Sequence, residues 1–91
     1  MPYIEKERRE SIVEETFSFV LPKEIKTPGE LNYAITVLCN EYLKKKGISY
    51  TNMNEVIGVL DCAKLEFYRR MTAPYEDKKI DENGDVYYDK P

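Results

Sequence analysis

The run Val56–Ala63 constrains the fold of this chain more than any other feature, because Asp61 is its only charged residue. Around it the apolar spacing is helical. Met53, Ile57, Leu60 and Met71 form one stripe, and Val56, Ala63 and Phe67 widen it. Val59, Cys62 and Leu65 place further apolar groups on the other side. A helix that is apolar nearly all round is either central in its domain or shared with another subunit. A chain of 91 residues has little with which to cover both sides. The pattern therefore predicts a homo-oligomer, most simply a dimer, with Val59, Cys62 and Leu65 or Tyr33 and Val37 in the shared surface. Gly58 costs about 1 kcal/mol relative to alanine in a helix interior and reads as a packing notch.

Start and stop signals set the remaining elements. Asn52, with Glu55 three residues on, opens the apolar helix, and Ala73-Pro74 is expected to end it, giving a span of 52–72. Thr27-Pro28-Gly29-Glu30 opens another helix: Thr caps, Pro takes the first helical position and Glu reaches back. Leu31, Ala34, Ile35, Leu38, Cys39 and Tyr42 continue it, and Lys44-Lys45-Lys46-Gly47 closes it, for a span of 27–47. The short connection between the two predicts antiparallel packing. Residues 1–26 form an N-terminal helical segment in which Glu5–Glu15 favours helix, whereas Phe17–Leu21 fits a short strand as well as a helix before Pro22. In the acidic, Tyr-rich tail, 75–91, Asn83-Gly84 lies between two short β-compatible runs and predicts a tight turn or a β-hairpin. The expected fold is thus mainly α: one small helical domain, residues 1–91, with two antiparallel core helices, a shorter N-terminal helix and a C-terminal turn or hairpin.

Composition narrows the chemistry. Histidine is absent, which excludes a Ser-His-Asp triad, a Cys-His pair and any zinc site that needs imidazole. Two cysteines, Cys39 and Cys62, are too few for a four-thiolate site and are expected to be buried free thiols. The net charge of −3 argues against duplex nucleic acid as a partner. No apolar run approaches the roughly 20 residues that cross a bilayer, and the opening Met1-Pro2-Tyr3-Ile4-Glu5-Lys6 lacks the order of a secretory signal, so a soluble, cytoplasmic protein is expected. No metal, no cofactor and no enzymatic activity is expected. Asp81, Asn83 and Asp85 suggest the opening of a calcium loop, but the glycine is misplaced and the closing Glu is missing, so they read as a turn.

The cationic side chains offer the candidate site. Lys44-Lys45-Lys46 complements a helix dipole and needs no ligand. Arg69-Arg70 follows Tyr68 and precedes Tyr75, a grouping suited to phosphate recognition with base stacking, whereas Glu66 offers it an ordinary ion pair. Arg8-Arg9, bracketed by Glu7 and Glu10, is a second such pair, and Lys64 falls within the apolar stripe, either pairing with Asp61 or facing an anion. The candidate ligand-binding set is therefore Arg69, Arg70, Tyr68, Tyr75, Lys64, Arg8 and Arg9. Eight tyrosines without a single tryptophan fit a binding surface better than a catalytic one.

The segments Leu31–Thr36, Glu55–Arg70, Ala73–Ile80 and Asn83–Tyr87 carry a resemblance. Together with the opening Met-Pro-Tyr-Ile, the chain resembles a family of small tailed-bacteriophage and prophage proteins of uncharacterised function. The resemblance spans most of Met1–Tyr88 and is loose over residues 10–26. It implies a viral protein acting in the host cytoplasm and carries over no catalytic residue. Two functions are expected from this combination. One is a non-enzymatic, homo-oligomeric sponge that sequesters an anionic, nucleotide-type host immune signal. The other is an accessory or inhibitor module that binds a host or phage protein.

Overall fold

The computed structural model describes residues 4–19 and 25–87. It is mainly α-helical, and no strand occurs among the described residues: α1 is Lys6–Phe19, α2 Pro28–Lys46, α3 Tyr50–Phe67, and α4 Ala73–Asn83, with a π-helical segment, Tyr68–Thr72, between α3 and α4. No helix among the described residues is long and apolar enough to cross a membrane. The chain divides into two units, Met1–Ser49 and Tyr50–Pro91.

In the first unit, α1 runs through Phe19, so the backbone of residues 16–19 is helix rather than strand; Val20, Leu21 and Pro22 lie outside the described residues. The ends of α2 fall where its capping residues put them. Thr27 sits in extended backbone and its Oγ1 accepts from the Glu30 amide at 3.1 Å, while the Glu30 carboxylate accepts from the Lys26 amide at 3.1 Å. At the other end Gly47 takes a φ of +104°, and its N–H donates to the Leu43 carbonyl at 2.7 Å. A positive φ is what a side chain resists and glycine permits. Ala34 is the buried residue of α2, at 4% exposure. Because the cap satisfies amides that α2 cannot pair internally, Thr27→Ala should lower stability by about 1 kcal/mol in a denaturant titration.

The second unit departs from expectation. The helix begins at Tyr50, so Asn52 lies in its first turn rather than capping it. It then passes through Ala73-Pro74 without a break: Phe67, Thr72 and Ala73 all keep right-handed helical backbone, and the helix continues to Asn83. The cause is local. An interior proline removes the amide that residue i−4 would bond and presses its ring on that carbonyl, here that of Arg70. In the π segment the Ala73 N–H donates to the Tyr68 carbonyl, five residues back. This widened turn lies immediately before Pro74, where a helix needs room for the ring.

The hairpin expected at Asn83-Gly84 is not formed: Lys78–Asn83, read as its first arm, are helical, and Gly84 caps α4 with a φ of +86° and an N–H bond to the Ile80 carbonyl of 2.8 Å. Asn-Gly signals a position that needs positive φ, which a helix C-terminus and a hairpin turn share. The exposed pair of Lys79 with Glu82, 3.0 Å across one helical turn, adds modestly to the helical alternative. Asp85 accepts from the Tyr87 amide at 3.1 Å, which makes it part of a turn. Tyr88 and the rest of the tail lie outside the described residues.

Candidate functional site

The π segment rearranges the faces of the helix that carries most of the candidate residues. In a regular α-helix, residues seven apart are about 20° from alignment and residues eight apart about 80°. Glu76, seven residues beyond Arg69, would then stand on the arginine's face. A π turn absorbs one extra residue and rotates everything after it. Glu76 accordingly moves onto the face of Tyr68, eight residues back, whose hydroxyl donates to its carboxylate. Arg69 is left with no hydrogen bond or ion pair among the described residues.

Tyr68 registers this contact. The hydrogen bond to Glu76, then the carboxylate charge itself, then partial desolvation and the charge of Asp77 hold its phenol above the ordinary value. A group whose folded pKa is raised contributes stability that is complete below the unfolded value, about 10, and lost as pH rises through the folded one. Absorbance titration of the phenolate should therefore show a late-ionising tyrosine that Tyr68→Phe removes. If the variant instead lost a tyrosine ionising at the ordinary value, the contact would be refuted.

The other candidates divide between paired and free. Arg70 meets Glu66 at 3.4 Å, the i,i+4 ion pair that its spacing allows. Arg8 lies 3.6 Å from Glu15 and donates to Ser11 at 3.1 Å, so its partner is Glu15 rather than Glu7 or Glu10. Arg9 donates from Nε to the carbonyl of Ile4. Lys79 Nζ stands 5.6 Å from the centre of the Tyr75 ring. Lys64 is exposed and shows no pair with Asp61 or with any other described residue. Lys44, Lys45 and Lys46 occupy the last turn of α2, and Lys46 lies 5.9 Å from the Tyr42 ring centre. Arg69, Arg70, Tyr68, Tyr75 and Lys64 thus share one helix, whereas Arg8 and Arg9 belong to the first unit.

An open hollow of about 700 Å³ lies within the second unit, against α4 and the residues just beyond it. Of the candidates it includes Tyr75 alone, and Glu76, Asp77 and Asp85 in its wall make it unsuited to an anion. The proposed interface residues are accessible: Tyr33, Val59, Cys62 and Leu65 are exposed and Val37 is half-buried. Both cysteines are free, but the expectation that they are buried fails, since Cys39 is half-buried and Cys62 exposed. Cys62 shares its side of α3 with Asn54, Glu55, Gly58 and Leu65 by helical spacing. A side chain at Gly58 would meet nothing within 4 Å among the described residues, so none of them gives Gly58 a notch to fill.

Sequence spacing identified the Glu66–Arg70 pair, but it missed the π segment and with it the Tyr68–Glu76 contact. The available signal was Pro74 followed by helix-forming, oppositely charged residues through Glu82. The fold defines a small, mainly α-helical protein. Residues 1–86 match the Domain of unknown function (DUF6899), and the chain belongs to that family. No curated protein and no solved structure matches the chain.

Proposed function

We propose that this chain is a non-enzymatic binding protein that assembles from several copies and holds an anionic, nucleotide-type ligand at Arg69. The observation that carries the reading is the diversion of Glu76 to Tyr68, which leaves an exposed guanidinium uncommitted on a rotated stretch of helix. Guanidinium groups bind phosphate through paired, directional hydrogen bonds, and one already neutralised by a carboxylate has less to offer. Arg70 adds a second donor group that must share itself with Glu66. Tyr75 and Lys64 stand well round the same helix from Arg69 by helical spacing, so within one chain neither joins Arg69 at the ligand. Tyr68 is engaged with Glu76, and Arg8 and Arg9 belong to the first unit, so the reading rests on Arg69 and Arg70. In the viral setting that the sequence resemblance implies, such a protein would sequester a host nucleotide signal in the cytoplasm.

Calorimetric titration of the full chain with cyclic mononucleotides, cyclic dinucleotides and inorganic phosphate tests this. Saturable binding by a nucleotide, weakened by salt, is expected; no heat from any of them would end the reading. A second reading, a module that docks on a host or phage protein, is favoured by the exposure of Leu65, Phe67 and Met71, each above 60%. Under that reading a partner retained by the native chain is lost with Leu65→Glu.

A further inference from the structure

We infer that a second copy of this chain covers the face formed by Met53, Val56, Leu60, Ala63 and Phe67, in a parallel, in-register pair of helices. The inference deepens the assembly part of the proposed function and rests on it.

These five residues recur at steps of three, four, three and four. That alternation is the pattern by which one α-helix packs along another of the same kind. The next residue of the series, Met71, comes four positions after Phe67 where a step of three is due, and Tyr75 stands four later. The extra residue falls in the π segment Tyr68–Thr72, which absorbs it. The seam therefore continues across a place where an unbroken α-helix would have turned it away. The polar and small residues Asn54, Gly58 and Asp61 fall on the far side.

The face is open to a partner. No residue from Tyr50 to Asn83 is buried. Ile57, Phe67, Met71 and Tyr75 each keep more than half of their surface exposed, and Met53 and Leu60 about two fifths. Without Ile57, which lies beside the seam, their exposed surface is roughly 600 Å² per copy, against the roughly 800 Å² that each partner buries in an interface of standard size. The five-residue seam carries no charge, so it repels no identical seam and offers nothing to a partner chosen by charge. The π segment fixes the direction. With the α3 seams of two copies facing each other, the phase changes fall at the same level when the helices are parallel and in register, whereas antiparallel pairing of α3 with α3 would set regular turns against the altered ones.

The test uses the full chain. Light scattering at micromolar concentration should give twice the 10.7 kDa of one chain. Leu60→Glu should halve that mass, and Leu65→Glu, on the far side, should leave it unchanged. For direction, Val56→Cys and Ala63→Cys are each made in a chain carrying Cys39→Ser and Cys62→Ser. Facing positions of a parallel pair come within disulfide reach, so both variants should cross-link on air oxidation. An antiparallel pair can bring at most one of these positions opposite itself, so a dimer in which only one variant, or neither, cross-links overturns the inference. A mass of 10.7 kDa overturns it as well. Dissociation by Leu65→Glu but not by Leu60→Glu also overturns it, yet leaves the proposed assembly standing through Val59, Cys62 and Leu65. Nucleotide titration of whichever species is found keeps the ligand reading separate.

Discussion

Pro74→Ala should make the helix Tyr50–Asn83 more stable, by about 1–3 kcal/mol, and should switch off the contact between Tyr68 and Glu76. Proline in a helix interior costs about 3 kcal/mol relative to alanine through its missing amide and the clash of its ring. The π segment relieves part of that cost, which sets the lower end of the range. With alanine in place, residue 74 regains a donor for the Arg70 carbonyl, and the Ala73 N–H, now bonded to Tyr68, returns to Arg69. One residue is no longer absorbed, and Glu76 rotates back toward the face of Arg69. Two measurements check this. The thermal midpoint should rise by on the order of 5–15 °C. In the phenolate titration, the late-ionising tyrosine should shift to the ordinary range. A variant no more stable than the parent, with Tyr68 still ionising late, would show that something other than Pro74 sustains the π segment.

How far the sequence led to this arrangement depends on how local each signal is. The boundaries of α2 were legible because Thr27, Pro28, Glu30 and Gly47 act within a few residues of themselves, through hydrogen bonds that the backbone demands wherever the helix packs. The same holds for Glu66 with Arg70, one helical turn apart. Pro74 misled because a proline carries two meanings, helix end or helix distortion, and the residues on its C-terminal side decide between them. Beyond Pro74, Glu76, Lys78, Lys79 and Glu82 favour helix and Lys79 pairs with Glu82, which supports a distorted continuation over a stop. Gly84 misled in a similar way, because its positive φ serves a helix cap as well as a hairpin. The candidate site was half legible. Residue types and spacing pointed to Arg69 and Arg70, but which of them stays free is set by a phase shift of one residue, and the periodicity of an undistorted helix does not contain that shift.

That asymmetry separates the two arginines in binding. For the nucleotide that binds in the calorimetric panel, Arg69→Ala should weaken affinity by about 2–3 kcal/mol, roughly 30- to 140-fold, the loss of a hydrogen-bonded charge. Arg70→Ala should cost less, because part of what Arg70 can donate is already given to Glu66. Glu66→Gln should tighten binding, since it frees Arg70 and removes a negative charge beside the ligand. Pro74→Ala, by bringing Glu76 back toward Arg69, should weaken binding although it stabilises the helix. Arg69 and Arg70 are exposed, so circular dichroism of both alanine variants should match the parent. Equal losses from the two alanine variants would show that the ligand meets the arginines without regard to their partners. No loss from either would assign the exposed helix to protein contacts instead.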